Sequence, residues 1–204
     1  PPGARTEHYS SIDLPPERFA SVARLHRASP SPIRLLTVGS LAYRIKGVDV
    51  LLAACAILRD RGLALTLDVV GEGALRPELE DLARKLGLEN IACFRGHLPR
   101  DEIFAMMDQC DLFVLASRSE GLPRVVVEAM ARAAPCLSTS VGGIPELLDE
   151  EWLAPPDDAE RLADNIERAV ASPNQLNGMS RQNLENARAY ESGVLAARRT
   201  RFYQ

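Results

Sequence analysis

An open, doubly wound α/β domain, a parallel sheet with helices on both faces, is the fold class this sequence predicts. Three observations carry that reading. Apolar runs of four to six residues alternate five times with segments of helical period. The connections between them are short. Glycine recurs in the loops after the first four runs, at 39–47, 71–74, 96–99 and 117–123. In a parallel sheet those loops share one rim, the carboxyl end of the strands, where ligands bind.

The first 30 residues are rich in Pro, Ser and Arg, with weak periodicity, and are expected to form a linker or arm. Ile33–Val38 is a continuous apolar run, as a strand buried on both faces requires. A helix follows with Val50, Leu51, Ala54 and Leu58 on one face. Leu65–Val70 is the second strand, closed by Gly71, Glu72 and Gly73. The next helix carries a stripe of Leu75, Leu79, Leu82 and Leu86, with Pro77 in its first turn and Gly87 just past its end. Ile91–Phe94 reads as the third strand, and Ile103, Met107 and Cys110 mark the helix after it. Asp111–Leu115 is the fourth strand, leading to a helix over Val125–Arg132, and Pro135–Thr139 is the fifth. Asp157 and Glu160 resemble a capping box for a helix with Leu162, Ile166 and Ala169 on one stripe. A more polar helix over about 174–189 follows. The expected division is an arm over 1–30, a ligand-binding domain over 31–190 and a C-terminal tail or helix over 191–204.

Charged residues form 25% of the 204-residue chain, with a net charge of −4, so nonspecific nucleic-acid binding is not indicated. The apolar runs are too short to span a membrane and no secretory leader opens the sequence, so a cytoplasmic location is expected. Cys55, Cys93, Cys110 and Cys136 lack metal or redox spacing and stand in apolar contexts, which reads as buried, reduced thiols. His8, His26 and His97 are scattered and make no zinc pair. No Asp-x-Asp occurs, which removes the usual carboxylate pair for a metal bridged to a diphosphate.

The most informative stretch is 117–128, which sets Glu120 and Glu128 on either side of the turn Gly121, Leu122, Pro123. A strand, a sharp turn and a helix N-terminus make an anion-binding corner, because the first amides of a helix lack intrahelical partners. Carboxylates there suit a ligand that also offers hydroxyl donors, and a nucleotide sugar is such a ligand. Taken singly, Glu120 reads better as an ordinary acidic loop residue, and Glu128 as part of an exposed ladder with Arg124 and Arg132; their joint occurrence with Gly121, Pro123 and Lys46 favours the ligand. Lys46 precedes a helix N-terminus, where it opposes the dipole; it reads equally as a solvated loop lysine or as a cation reaching a diphosphate at the same rim. Gly71 and Gly73 begin like a dinucleotide fingerprint. Arg76 holds the third glycine position, however, and the next strand ends in Arg95 rather than an acid.

Together these segments resemble the C-terminal, donor-binding half of group 1 retaining glycosyltransferases of the GT-B fold. The resemblance runs over about 33–171. It rests on Val38-Gly39-Ser40-Leu41 with Lys46-Gly47, Val70-Gly71-Glu72-Gly73, Phe94-Arg95-Gly96, the pair Glu120–Glu128 continuing into Ala129-Met130-Ala131, and Val141-Gly142-Gly143-Ile144-Pro145-Glu146. It implies a Rossmann-like domain that binds a nucleoside diphosphate sugar without cofactor or metal. It places Lys46 on the diphosphate, Glu120 on the hydroxyls of the transferred sugar and Glu128 on the ribose. The amides of Gly121 and Leu122 would line the turn between sugar and phosphate, and Arg95, Gly96, His97 and Leu98 would lie beside the base. Gly39, Ser40, Gly71, Gly73 and Pro123 complete the implied donor site, and Glu120 and Lys46 the catalytic pair.

The sequence departs from the family at three points. Ser40 stands where an Arg is frequent, leaving Arg44 or Arg124 to replace that cation. Ala134 replaces a common glycine, and Asp149-Glu150-Glu151-Trp152 replaces a more glycine-rich turn. The resemblance begins near the start of the chain, so an excised donor domain is expected, binding donor without transferring sugar. The acceptor, and any peripheral membrane association, would belong to the missing N-terminal half. Rival readings are a nucleotide-sugar epimerase, a phosphorylase, or a non-catalytic nucleotide-binding or protein-interaction module.

Overall fold

A computed structural model describes residues 14–26 and 31–196. Six parallel strands form one sheet: β1 (Ile33–Val38), β2 (Leu65–Val70), β3 (Ala92–Gly96), β4 (Leu112–Leu115), β5 (Cys136–Thr139) and a two-residue β6 (Leu153–Ala154). Their order is β3-β2-β1-β4-β5-β6, so the sheet winds outward in both directions from the β1–β4 pair. The helices are α1 (Val48–Asp60), α2 (Arg76–Lys85), α3 (Arg100–Gln109), α4 (Arg124–Ala131), α5 (Ala159–Val170) and α6 (Pro173–Ala187).

Alternate strand residues feed two cores. Leu35, Leu67, Val69, Leu112, Val114 and Leu137 pack with α1, α2 and α5 on one face. Leu36, Val70, Phe113, Leu115 and Cys136 pack with α3 and α4 on the other. Burial on both faces is why the central strands read as unbroken apolar runs rather than alternating ones. β1 pairs with β2 along its whole length, from Ile33 opposite Leu65 to Val38 opposite Val70, which brings Gly39 and Gly71 to the same rim.

Several expectations need adjustment. β3 runs on through Arg95 to Gly96, because an irregularity between Val69 and Val70 lets the strand keep pairing past Phe94. The N-cap of α5 is Asp158, whose side chain accepts from the Arg161 amide at 2.8 Å. Asp157 instead adopts φ 63° and binds Arg118, and Glu160 pairs with Arg61, so no capping box forms. Cys93 is exposed on edge strand β3, whereas Cys55, Cys110 and Cys136 are buried. Burial pushes the Cys55 thiol up to about 12 and that of Cys110 up to about 11, far from the range of a reactive thiolate.

The polar composition of α6 has a structural reason. Ala133 turns with φ 55° between α4 and β5, and Ser180 and Asn183 donate to the carbonyls of Ala133 and Ala134 at 2.8 and 2.9 Å. Part of the segment expected as a linker also lies on the domain. Leu14 is fully buried and bridges to Glu191, and the Ala20 amide donates to Ala131 at 2.7 Å. The Arg24 guanidinium donates to the carbonyls of Met107, Cys110 and Arg132, a cation placed at the C-terminal ends of both α3 and α4. The chain becomes helical again at 192–196, and the remainder of the expected tail lies outside the described residues.

Two predictions follow from this packing. Gly47 has φ 61°, and a Cβ on it would sit 1.9 Å from the Ala116 carbonyl oxygen, whereas a Cβ on Gly62 (φ 87°) would meet open space. Denaturant titration should show Gly47→Ala losing at least ~2 kcal/mol and Gly62→Ala about half of that or less, since only the former adds a backbone clash to an unfavourable φ. Burial lowers the pKa of His26, outweighing the pull of Asp111, and its Nε2 is buried without a partner. The folded state therefore prefers the neutral ring. Stability should fall as the pH drops through about 6.5, the ordinary histidine value, and continue falling towards the depressed folded value. His26→Leu should flatten that part of the denaturation profile.

Candidate functional site

The site lies where β1 and β4 run side by side, the switch point of the sheet. The loop after β1 closes with a 3-10 turn, Arg44–Lys46, before Gly47 starts α1. The loop after β4 is tied to it by Arg118. Its amide donates to the Ile45 carbonyl at 2.8 Å, and its guanidinium binds Asp49 through two contacts of 2.9 Å and Asp157 at 2.7 Å. Burial alone would raise the Asp49 carboxyl, but the bonds from Arg118 outweigh it and hold Asp49 below its ordinary value.

With the loops joined, Lys46 Nζ lies 2.6 Å from Glu120 Oε1. The hydroxyl of fully buried Ser117 donates to the same oxygen at 2.7 Å. The Glu120 side chain is only 9% exposed. Gly142 and Gly143 hold this corner from behind. The Gly143 amide donates to the Gly121 carbonyl at 2.7 Å, and a Cβ on Gly142 (φ 55°) would fall 1.9 Å from the Glu120 carbonyl oxygen. Glu128, one face along on α4, is 13% exposed; it accepts from Arg124 Nε at 3.0 Å and from Arg100. Arg100 is itself stacked over Phe104, 5.5 Å from the ring centre.

One cleft of about 420 Å³ is lined by Gly39, Ser40, Lys46, Glu120, Leu122, Pro123, Arg124 and Glu128, together with Val38 and Val125. A second, of about 290 Å³, shares Val38, Gly39 and Ser40 with it and continues to Gly71, His97 and Leu98. The two form one trough along the carboxyl ends of β4, β1 and β2. Among the described residues, the amides of Gly121, Leu122 and Val125 at the start of α4 have no hydrogen-bond partner. Such amides favour an anion.

Not every expected residue enters the trough. Arg44 is paired with Asp49 at 3.3 Å and with Glu78, outside the cleft lining, so the arginine that stands in the trough is Arg124. Arg95 turns to Asp68 at 2.6 Å and faces a separate cavity of about 340 Å³. Gly73, Gly96 and Gly121 shape the loops without lining either cleft; the Gly96 carbonyl accepts from the Gly71 amide at 2.9 Å. The exposed-ladder reading of Glu128 is half met, since Arg124 pairs with it while Arg132 goes to Asp108. Sequence reasoning missed Ser117, Arg118 and Arg100. Ser117 stands three residues before Glu120 and could have been noticed, whereas Arg100 reaches Glu128 from another helix with no local signal.

No helix of the described residues is long and apolar enough to cross a membrane, and no group of three or more His, Cys, Asp or Glu among them could hold a metal.

A trough at the switch point of a parallel sheet, lined by cations and acids, lies where open α/β domains bind their ligands. Residues 32–172 match the family model "Glycosyl transferases group 1", and the chain belongs to that family. The amylovoran biosynthesis glycosyltransferase AmsK of Erwinia amylovora is 35% identical over 161 residues, 74% of this chain and 39% of AmsK. The chain thus spans well under half the length of this curated relative. Sucrose-phosphate synthase from Thermosynechococcus elongatus superposes with a TM-score of 0.76 at 26% identity, covering 85% of this chain and 45% of that one. HepE of Anabaena, in complex with UDP, superposes with a TM-score of 0.74 at 24% identity, covering 85% and 50%, a likeness of fold. These neighbours confirm the GT-B type of Rossmann-like domain that the sequence predicts.

Proposed function

We propose that this chain is the donor-binding half of a retaining, metal-independent glycosyltransferase that takes a sugar from a nucleoside diphosphate. The observation that carries the reading is the meeting of Lys46 and Glu120 beside unpartnered amides, in the same cleft as Glu128. In this reading Lys46, Arg124 and the amides of Gly121, Leu122 and Val125 meet the diphosphate. Charge built up as it departs is stabilised by groups already in place, which requires no metal. Glu120 accepts from hydroxyls of the sugar, and Glu128, held by Arg100 and Arg124, from the ribose. The base lies in the smaller cleft by His97 and Leu98. Retention of the anomeric configuration and independence from any cofactor rest on the family resemblance. The acceptor and the transfer step belong to the remainder of the enzyme, since relatives are more than twice as long as the matched part.

Calorimetric titration with UDP, GDP and ADP tests the reading, and the UDP in the HepE complex makes uridine the first choice. Absence of binding to all three would favour a protein-interaction module. Lys46→Ala should weaken nucleoside diphosphate binding about tenfold while leaving the nucleoside nearly unchanged. Equal weakening of both would remove Lys46 from the phosphates. Glu128→Gln should loosen ribonucleotides more than their 2′-deoxy analogues, and an identical loss would take Glu128 off the ribose.

A further inference from the structure

We infer that Lys46 and Glu120 form an exchangeable pair, by which the cleft distinguishes a sugar-bearing nucleotide from the bare nucleoside diphosphate left after transfer. This rests on the donor-site reading and extends it from what binds to how donor and spent product are told apart.

The two side chains are in direct contact. Lys46 Nζ and Glu120 Oε1 are 2.6 Å apart, with side chains 23% and 9% exposed. A carboxylate so far removed from water is poorly screened and holds its partner firmly. Its Oε1 also accepts from Ser117, whose own carbonyl accepts from Thr139 Oγ1, so the acid is anchored from the buried side. The ammonium that a diphosphate needs is therefore already neutralised.

A bare nucleoside diphosphate has to draw Lys46 away. Glu120 is then left with the Ser117 hydroxyl as its described partner, an under-satisfied and largely desolvated charge. A nucleotide sugar removes that penalty itself, because its hydroxyls donate to the lone pairs that Lys46 vacates. Both swaps then occur together: the ammonium passes from carboxylate to phosphate, and the carboxylate passes from ammonium to sugar. Product binding is weakened relative to donor binding without any contact that distinguishes one diphosphate from another.

The test is calorimetry of the chain with matched pairs: UDP and UDP-glucose, GDP and GDP-mannose, ADP and ADP-glucose. Glu120→Gln should tighten the bare diphosphate about fivefold, by releasing Lys46, and loosen its sugar conjugate about tenfold. Glu120→Ala should move both affinities in the same two directions and serves if the glutamine variant folds poorly. In a Lys46→Met background, Glu120→Gln should bring no gain for the bare diphosphate. An equal gain in both backgrounds would reveal simple repulsion between Glu120 and phosphate, and would overturn the exchange. Movement of both affinities in one direction would overturn it as well, while leaving the donor site intact. If the unmodified chain binds no member of any pair, the donor reading fails and the exchange with it.

Discussion

Arg118 holds the loop after β1 against the loop after β4 with its amide and its guanidinium together, and the contact of Lys46 with Glu120 spans those same two loops. The two loops start 77 residues apart in sequence, at Gly39 and Ala116, and meet only because β4 crosses over to lie beside β1. Their approach leaves no room for a side chain at Gly47, where the backbone turns left-handed against the Ala116 carbonyl. Asp49 in the first turn of α1 receives the guanidinium, so the helix is aligned by the same interaction that joins the loops. The order of strands brings the two loops together, and the arginine sets the distance.

Much of this was legible beforehand because it is written in local patterns. The strands show as apolar runs since both sheet faces are covered, and the first helices show as stripes with Pro and Gly at their ends. Glu120, Glu128 and Lys46 could be chosen because they occur together with Gly121 and Pro123, although each taken singly has an ordinary reading. What escaped notice depends on contacts between distant segments. Arg44 looked as suitable as Arg124 for a phosphate, and Arg95 as suitable as its neighbours for the base, but Asp49 and Glu78 claim the first and Asp68 the second. The shift of the α5 cap from Asp157 to Asp158 follows from the same hub, since Arg118 takes the carboxylate of Asp157. Cys93 looked like its three buried counterparts in composition and differs only because β3 is the edge of the sheet.

Each acid of the trough is matched by basic groups of the protein, Glu120 by Lys46 and Glu128 by Arg100 and Arg124. The site is thus neither a bare acidic patch nor a bare basic one. A ligand that is anionic at one part and rich in hydroxyls at another can engage both kinds of group, whereas a simple anion or a neutral sugar engages only one.

The bracing of α3 and α4 by Arg24 carries the packed domain beyond the segment that the family model matches. The match to the family model begins at residue 32, yet three carbonyls at the ends of those helices are satisfied from a residue upstream of that boundary. The packed unit is therefore longer than the segment that the family model matches. A boundary drawn at residue 32 would cut away the strap that fastens the C-terminal ends of two helices, one of which presents its opposite end to the trough.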